Sequence, residues 1–99
     1  MDNATKQEYI GSIKEELLQF QEISKIIIFG SFFESKNPHD IDVAIVQESD
    51  NNFLMLSLKY RKALRKLSKK IPIDIVPLKN NFTGFFAQEI EKGKIIYEK

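Results

Sequence analysis

The chain has 99 residues, 42% of them hydrophobic and 29% charged, which suits one globular domain and excludes a large multidomain enzyme. Fifteen basic residues nearly balance fourteen acidic ones, and a net charge of +1 argues against a protein devoted to coating polyanions. With no cysteine and a single histidine, disulfides, thiolate chemistry and zinc sites built on Cys or on two imidazoles are all excluded.

The first predicted element is an amphipathic helix. Tyr9, Ile10, Ile13, Leu17 and Phe20 recur at helical spacing, while Lys6, Lys14 and Glu15 are placed away from that stripe. A polar break at residues 22–25 precedes Ile26-Ile27-Ile28-Phe29, a β-branched run without polar alternation, as expected of a strand buried on both faces. Gly30-Ser31 ends it, and Asn37-Pro38 marks a turn. A second strand reads from Asp40 to Val46.

Residues 49–52 offer N-caps for one long helix reaching about residue 69, with Phe53, Leu56, Tyr60, Ala63, Leu64 and Leu67 on its apolar arc. Pro72 closes that segment, and Ile73-Asp74-Ile75-Val76 is the third strand. A last helix carries Phe82, Phe86 and Ile90 on one face and ends at Gly93, read as the residue just past the helix, before a short terminal strand from Lys94 to Tyr97. The order is helix, strand, short turn or helix, strand, helix, strand, helix. The expected class is α/β (α+β): a small mixed sheet flanked by helices, as one domain over residues 1–99.

The N-terminus has no charged-then-apolar leader pattern. Uncharged runs such as residues 26–33 fall far short of the ~20 residues of a membrane span, so a cytoplasmic location is expected.

Asp40 and Asp42 lie two apart on a predicted strand, so both carboxylates leave the same face. Held side by side they repel unless protonated or bridged by a cation. With five aspartates in the chain, an Asp-x-Asp alone is a weak signal, and Asp40 equally finishes the Asn-Pro-His turn. Two further features strengthen it. Gly30-Ser31 at a strand end can offer backbone N–H groups and a hydroxyl to a phosphate. Asp74 interrupts an apolar strand, which calls for a pairing, a metal, or an exposed edge.

Three carboxylates on neighbouring strands can hold two Mg²⁺ ions ~3.5–4 Å apart, the arrangement that stabilises both oxygens of an in-line phosphoryl displacement. The set Gly30-Ser31, Asp40-Ile41-Asp42 and Asp74, with the ending of residues 89–97, resembles the minimal nucleotidyltransferase (MNT) domain of the polymerase-β superfamily. That resemblance implies metal binding by Asp40, Asp42 and Asp74, a share for Asp74 in activating the acceptor hydroxyl, and nucleotide phosphate contacts from Gly30 and Ser31. It implies Mg²⁺ and ATP or another NTP. It also implies an antitoxin that transfers AMP to a tyrosine of a helical HEPN-type toxin. The chain departs from the family pattern after Gly-Ser, where Phe32-Phe33-Glu34-Ser35 stands in place of a basic stretch and the loop before Asp40 holds eight residues. Lys36 is the candidate replacement for the missing arginine.

Between residues 59 and 70 lie seven basic residues and no acidic one. They fill the helix side opposite the apolar arc, and the readings open there are a solvated face, an acidic partner, or RNA phosphates. Leu54, Met55 and Leu58 fall off the apolar arc, and either a neighbouring segment buries them or they form a patch for a helical partner. Phe32, Phe33, Phe85 and Phe86 read as core, and His39 receives no role. Beside the enzyme, two other classes stay open: a binding module that neutralises a partner by contact, and an RNA-binding fold.

Overall fold

Asp2 starts the first helix: its carboxylate accepts the Thr5 amide hydrogen at 2.8 Å and caps α1 (Asn3–Leu17). The computed structural model describes residues 1–82 and 84–99, with the side chains of Phe85 and Phe86 also outside the described set. The expectations for Phe85 and Phe86 therefore fall outside the described residues. Ile10, Ile13 and Leu17 form the buried stripe of α1 as their spacing predicts, but Lys6 is buried with them. Phe20 lies beyond the helix end and packs edge-on against Tyr60, ring centroids 5.4 Å apart.

Four strands follow: β1 (Ile23–Phe29), β2 (Ile41–Gln47), β3 (Ile73–Leu78) and β4 (Lys94–Glu98). They form one mixed sheet in the order β3-β2-β1-β4, with β1 antiparallel to β2 and β4, and β2 parallel to β3. The apolar run of β1 divides between the two faces. Ile26 and Ile28 join Ile41, Val43, Ile45 and the helices α1 and α2 (Phe53–Ala63) in one core. Ile27 and Phe29 join Ala44, Val46 and Ile90 of α4 (Phe85–Glu91) in the other. Helices on both sides explain why the central strands carry almost no polar residues.

Several boundaries differ from the sequence reading: β1 begins at Ile23, within the expected polar break, because that side chain is buried in the core. Residues 30–40 contain turns and no helix, and the strand ladder begins at Ile41, so Asp40 sits just ahead of β2. The long helix is two: α2 stops at Ala63, and a single turn, α3 (Arg65–Ser68), resumes after Leu64. No glycine or proline marks that break, so the helical periodicity runs straight through it. The last helix begins at Phe85, after Gly84 with φ 109°, so Phe82 precedes it and packs half-buried beside the second core. Asn52 caps α2 through its side-chain oxygen, 2.9 Å from the Met55 amide. Phe53, placed on the apolar arc by its spacing, is 63% exposed, because it lies in the first turn, ahead of Leu56 where burial begins.

No described helix is long and apolar enough to cross a membrane.

Gly93 earns its place by close approach rather than by a left-handed backbone, since its φ is not positive. A Cβ there would stand 2.6 Å from the Ile28 carbonyl oxygen and 2.8 Å from Phe29 Cβ, where the α4–β4 turn crosses β1. Gly93→Ala should therefore cost about 1–3 kcal/mol through overpacking against backbone. Gly11, inside α1 with nothing within 4 Å of an added Cβ, gives the control: Gly11→Ala should stabilise by about 0.5–1 kcal/mol. Thermal unfolding of the two variants checks the opposite signs.

Candidate active site

Strand register brings the three aspartates together. Asp42 of β2 stands directly opposite Asp74 of β3, and in a parallel pair both side chains leave the same face. Asp40, two residues before Asp42, shares that side. Carboxylate oxygens of Asp40, Asp42 and Asp74 all lie within 4.8 Å of one another. The Ile41 amide donates to the Pro72 carbonyl at 2.9 Å and pins the two strand starts together. Asp74 is exposed on an edge strand and yet belongs to the cluster, so two readings of that residue coincide.

The antiparallel β1–β2 pair adds the Gly-Ser turn. Phe29 stands opposite Asp42, so Gly30 leaves the sheet beside the Asp42 carboxylate. Gly30 has φ 73°, and any Cβ there would overlap the Asp42 side chain. Only glycine meets both conditions. Ser31 follows on the surface, and its carbonyl accepts the Ser35 amide at 2.8 Å.

The cluster is electrostatically uncompensated. Burial, reinforced by the charges of Asp40 and Asp74 and by a hydrogen bond with Asp74, pushes the Asp42 carboxyl up to about 6. None of the ion pairs among the described residues involves any of the three aspartates. An all-oxygen donor set without a paired lysine or arginine among the described residues has the chemistry to hold a hard divalent ion such as Mg²⁺ or Mn²⁺.

The loop between Gly30 and Asp40 is fastened from α1. Lys6, 94% buried by its 6% exposure, donates from Nζ to the Ser35 carbonyl at 2.6 Å and the Phe33 carbonyl at 3.3 Å, with the Phe32 ring centroid 5.7 Å away. The terminal ammonium of Met1 donates to the Lys36 carbonyl at 2.8 Å and to Asn37 Oδ1 at 2.9 Å. Phe32 is core and Phe33 packs against it, so the Phe-Phe departure anchors the loop. Lys36 is exposed and is engaged through its backbone. Lys6 was missed as a functional candidate because lysine reads as surface. The available signal was position, four residues ahead of Ile10 on the same stripe.

Two outcomes follow from these contacts. An Asp42 carboxyl at about 6, against ~3.9 in the unfolded chain, means that the folded state binds the extra proton. Its contribution to stability is therefore present at low pH and lost as pH rises from about 4 to 6. In the metal-free protein at pH 8, Asp42→Asn should raise stability by about 1 kcal/mol after allowance for solvent screening, and the gain should vanish at pH 4. Lys6→Met keeps the buried stem but removes the donor from two carbonyls, so it should cost about 1–3 kcal/mol and speed amide exchange at residues 31–37. Urea unfolding and hydrogen exchange measure both.

Comparisons with known proteins agree with this fold. Residues 11–99 match the family profile described as polymerase beta, nucleotidyltransferase. A toxin–antitoxin crystal structure with AMP-PNP superposes with a TM-score of 0.70 at 19% identity, over 91% of this chain and 73% of that one. A tri-AMPylated Shewanella oneidensis HEPN toxin in complex with its MNT antitoxin gives 0.66 at 21% identity, over 95% and 73%. A nucleotidyltransferase structure from Sulfolobus solfataricus gives 0.57 at 16% identity, over 95% and 80%. No curated protein sequence matches significantly. With its sheet, its Gly-Ser turn and its aspartates in this arrangement, the chain belongs to the polymerase-β nucleotidyltransferase family.

Proposed function

We propose that the chain is an Mg²⁺-dependent nucleotidyltransferase of the MNT type that moves AMP from ATP onto a tyrosine hydroxyl of a HEPN-type toxin and so acts as its antitoxin in the cytoplasm. The observation that carries the reading is the convergence of Asp40, Asp42 and Asp74 within 4.8 Å beside the Gly30-Ser31 turn. The neighbouring complex of an AMPylated HEPN toxin with its MNT antitoxin supports the choice of acceptor.

In this mechanism Gly30 and Ser31 hold the nucleotide phosphates through backbone N–H groups and the serine hydroxyl. The loop that Lys6 fastens keeps that turn in place. Asp40 and Asp42 would hold the metal ions, with Asp74 as a further ligand. When bound, the ions neutralise phosphate charge and polarise the reacting oxygens. Asp74, exposed on the edge strand β3, faces the acceptor and takes up its hydroxyl proton. The acceptor oxygen bonds to the α-phosphorus as the bond to the β-phosphate oxygen breaks, and pyrophosphate leaves.

The exposed residues Phe53, Leu54, Met55 and Leu58 favour a second reading, neutralisation by contact alone. RNA binding has less support: Phe32 is core, which removes it as a stacking platform.

The test combines purified chain, Mg²⁺, ATP and a HEPN-type partner, with intact mass of the partner as readout. Expected is a gain of one or more AMP units, reduced at least ~10³-fold by Asp42→Asn, since the group acts directly on the reacting phosphate. Absence of AMP addition, or addition undiminished in Asp42→Asn, sinks the enzymatic reading. Neutralisation that survives loss of all three aspartates selects contact. Mg²⁺ should also raise the unfolding temperature of the wild-type chain above pH 6 and leave Asp42→Asn nearly unchanged.

A further inference from the structure

Between α2–α3 and the open edge of β3 runs a groove of about 410 Å³, bordered by Leu58, Arg61, Lys62, Arg65, Ile73 and Asp74. Asp74 belongs to the carboxylate cluster, so the groove ends at the candidate active site. At its other end the first turns of α2 expose Phe53, Leu54, Met55 and Leu58 at 63, 66, 56 and 60%. Leu54, Leu58 and Arg61 share one face of α2 by their spacing, and Arg65 follows in α3. Of the seven basic residues in this region, Lys59 pairs with Glu22 at 3.0 Å. No ion pair reaches the other six among the described residues.

This combination selects one occupant. A second copy of the chain in a twofold dimer would set the same cations against themselves. A nucleic acid would use the cations but leave four large apolar side chains in water. An apolar centre with a charged rim is instead the anatomy of a protein interface. Leu54 and Leu58, one helical turn apart beside a groove, match the ridge of a docking helix.

We propose that this surface docks an amphipathic, acidic helix of a protein partner and thereby delivers a hydroxyl of that partner to the carboxylate cluster. Apolar residues of the helix pack on Leu54, Met55 and Leu58, and its carboxylates face Arg61, Lys62 and Arg65. The delivery step rests on the transferase reading above; the docking does not.

The probe is a synthetic helical peptide with a leucine stripe flanked by glutamates, compared with a counterpart carrying lysines in place of the glutamates. Each is titrated into the isotope-labelled full chain and followed by amide shifts. The acidic peptide should bind, weaken with added salt, and shift signals from Leu54 through Arg65, while the lysine peptide should not bind. The pairs Leu54→Ser with Leu58→Ser, and Arg61→Glu with Arg65→Glu, should each weaken binding at least ~10-fold. These residues are exposed, so unchanged unfolding temperatures confirm intact folds. Equal binding of the two peptides, no binding of either, shifts elsewhere, or self-association lost in the leucine pair overturns the proposal.

A second arm separates the two readings, using AMP transfer to the HEPN-type partner. If the acidic peptide docks on the expected face but the partner gains no AMP, the transferase reading fails and docking stands. If the partner gains AMP at an undiminished rate in the leucine pair, docking is overturned and the transferase reading stands.

Discussion

Like charge held at close range is the constraint around which this small fold is arranged. Three carboxylates meet at one end of the sheet, and the Asp42 carboxyl is held near 6 because burial and its two neighbours penalise ionisation. Elsewhere four acidic side chains pair with cations among the described residues, Glu22 with Lys59 and Glu98 with Lys25 among them. At the cluster no such pairing is present among the described residues. A site of this kind persists only if the scaffold over-determines it.

The scaffold does so through its sheet. Helices cover both faces of β1 and β2, so the strands that carry the site are fixed by two apolar cores rather than one. The parallel register of β2 and β3 sets Asp42 against Asp74, and the antiparallel register of β1 and β2 sets Gly30 against Asp42. A slip of one residue in either pairing would send a carboxylate to the opposite face. Lys6 and the terminal ammonium add a third restraint, tying the loop between Gly30 and Asp40 to the start of α1.

Much of this was legible in the residues. The apolar run from Ile26 to Phe29 marked a strand covered on both sides, and the Ile-Asp-Ile-Val pattern marked Asp74 as a residue needing a reason. Sites were readable where chemistry contradicts pattern: a carboxylate in an apolar strand, or a glycine ending a β-branched run. Lys6 escaped for the opposite reason, since a lysine near a helix start fits the ordinary expectation of a solvated side chain. The break at Leu64 escaped because no breaker residue causes it. Phe53 escaped because periodicity does not say where along a helix the packing begins.

By itself the sequence determined the element types, the exclusion of any metal site built on cysteine or on two imidazoles, and which aspartates are the candidate ligands, because hydrophobic period and side-chain chemistry are local properties. It also determined that nearly half of the positive charge lies between residues 59 and 70. The tertiary structure decided the rest. Strand order and register bring Asp74 to Asp42, and packing depth decides that Lys6 is buried and that Leu54 and Leu58 are exposed. The approach of the α4–β4 turn to β1 decides why residue 93 is glycine. These are relations between segments distant in the chain, set by which surfaces meet, and no local pattern encodes them.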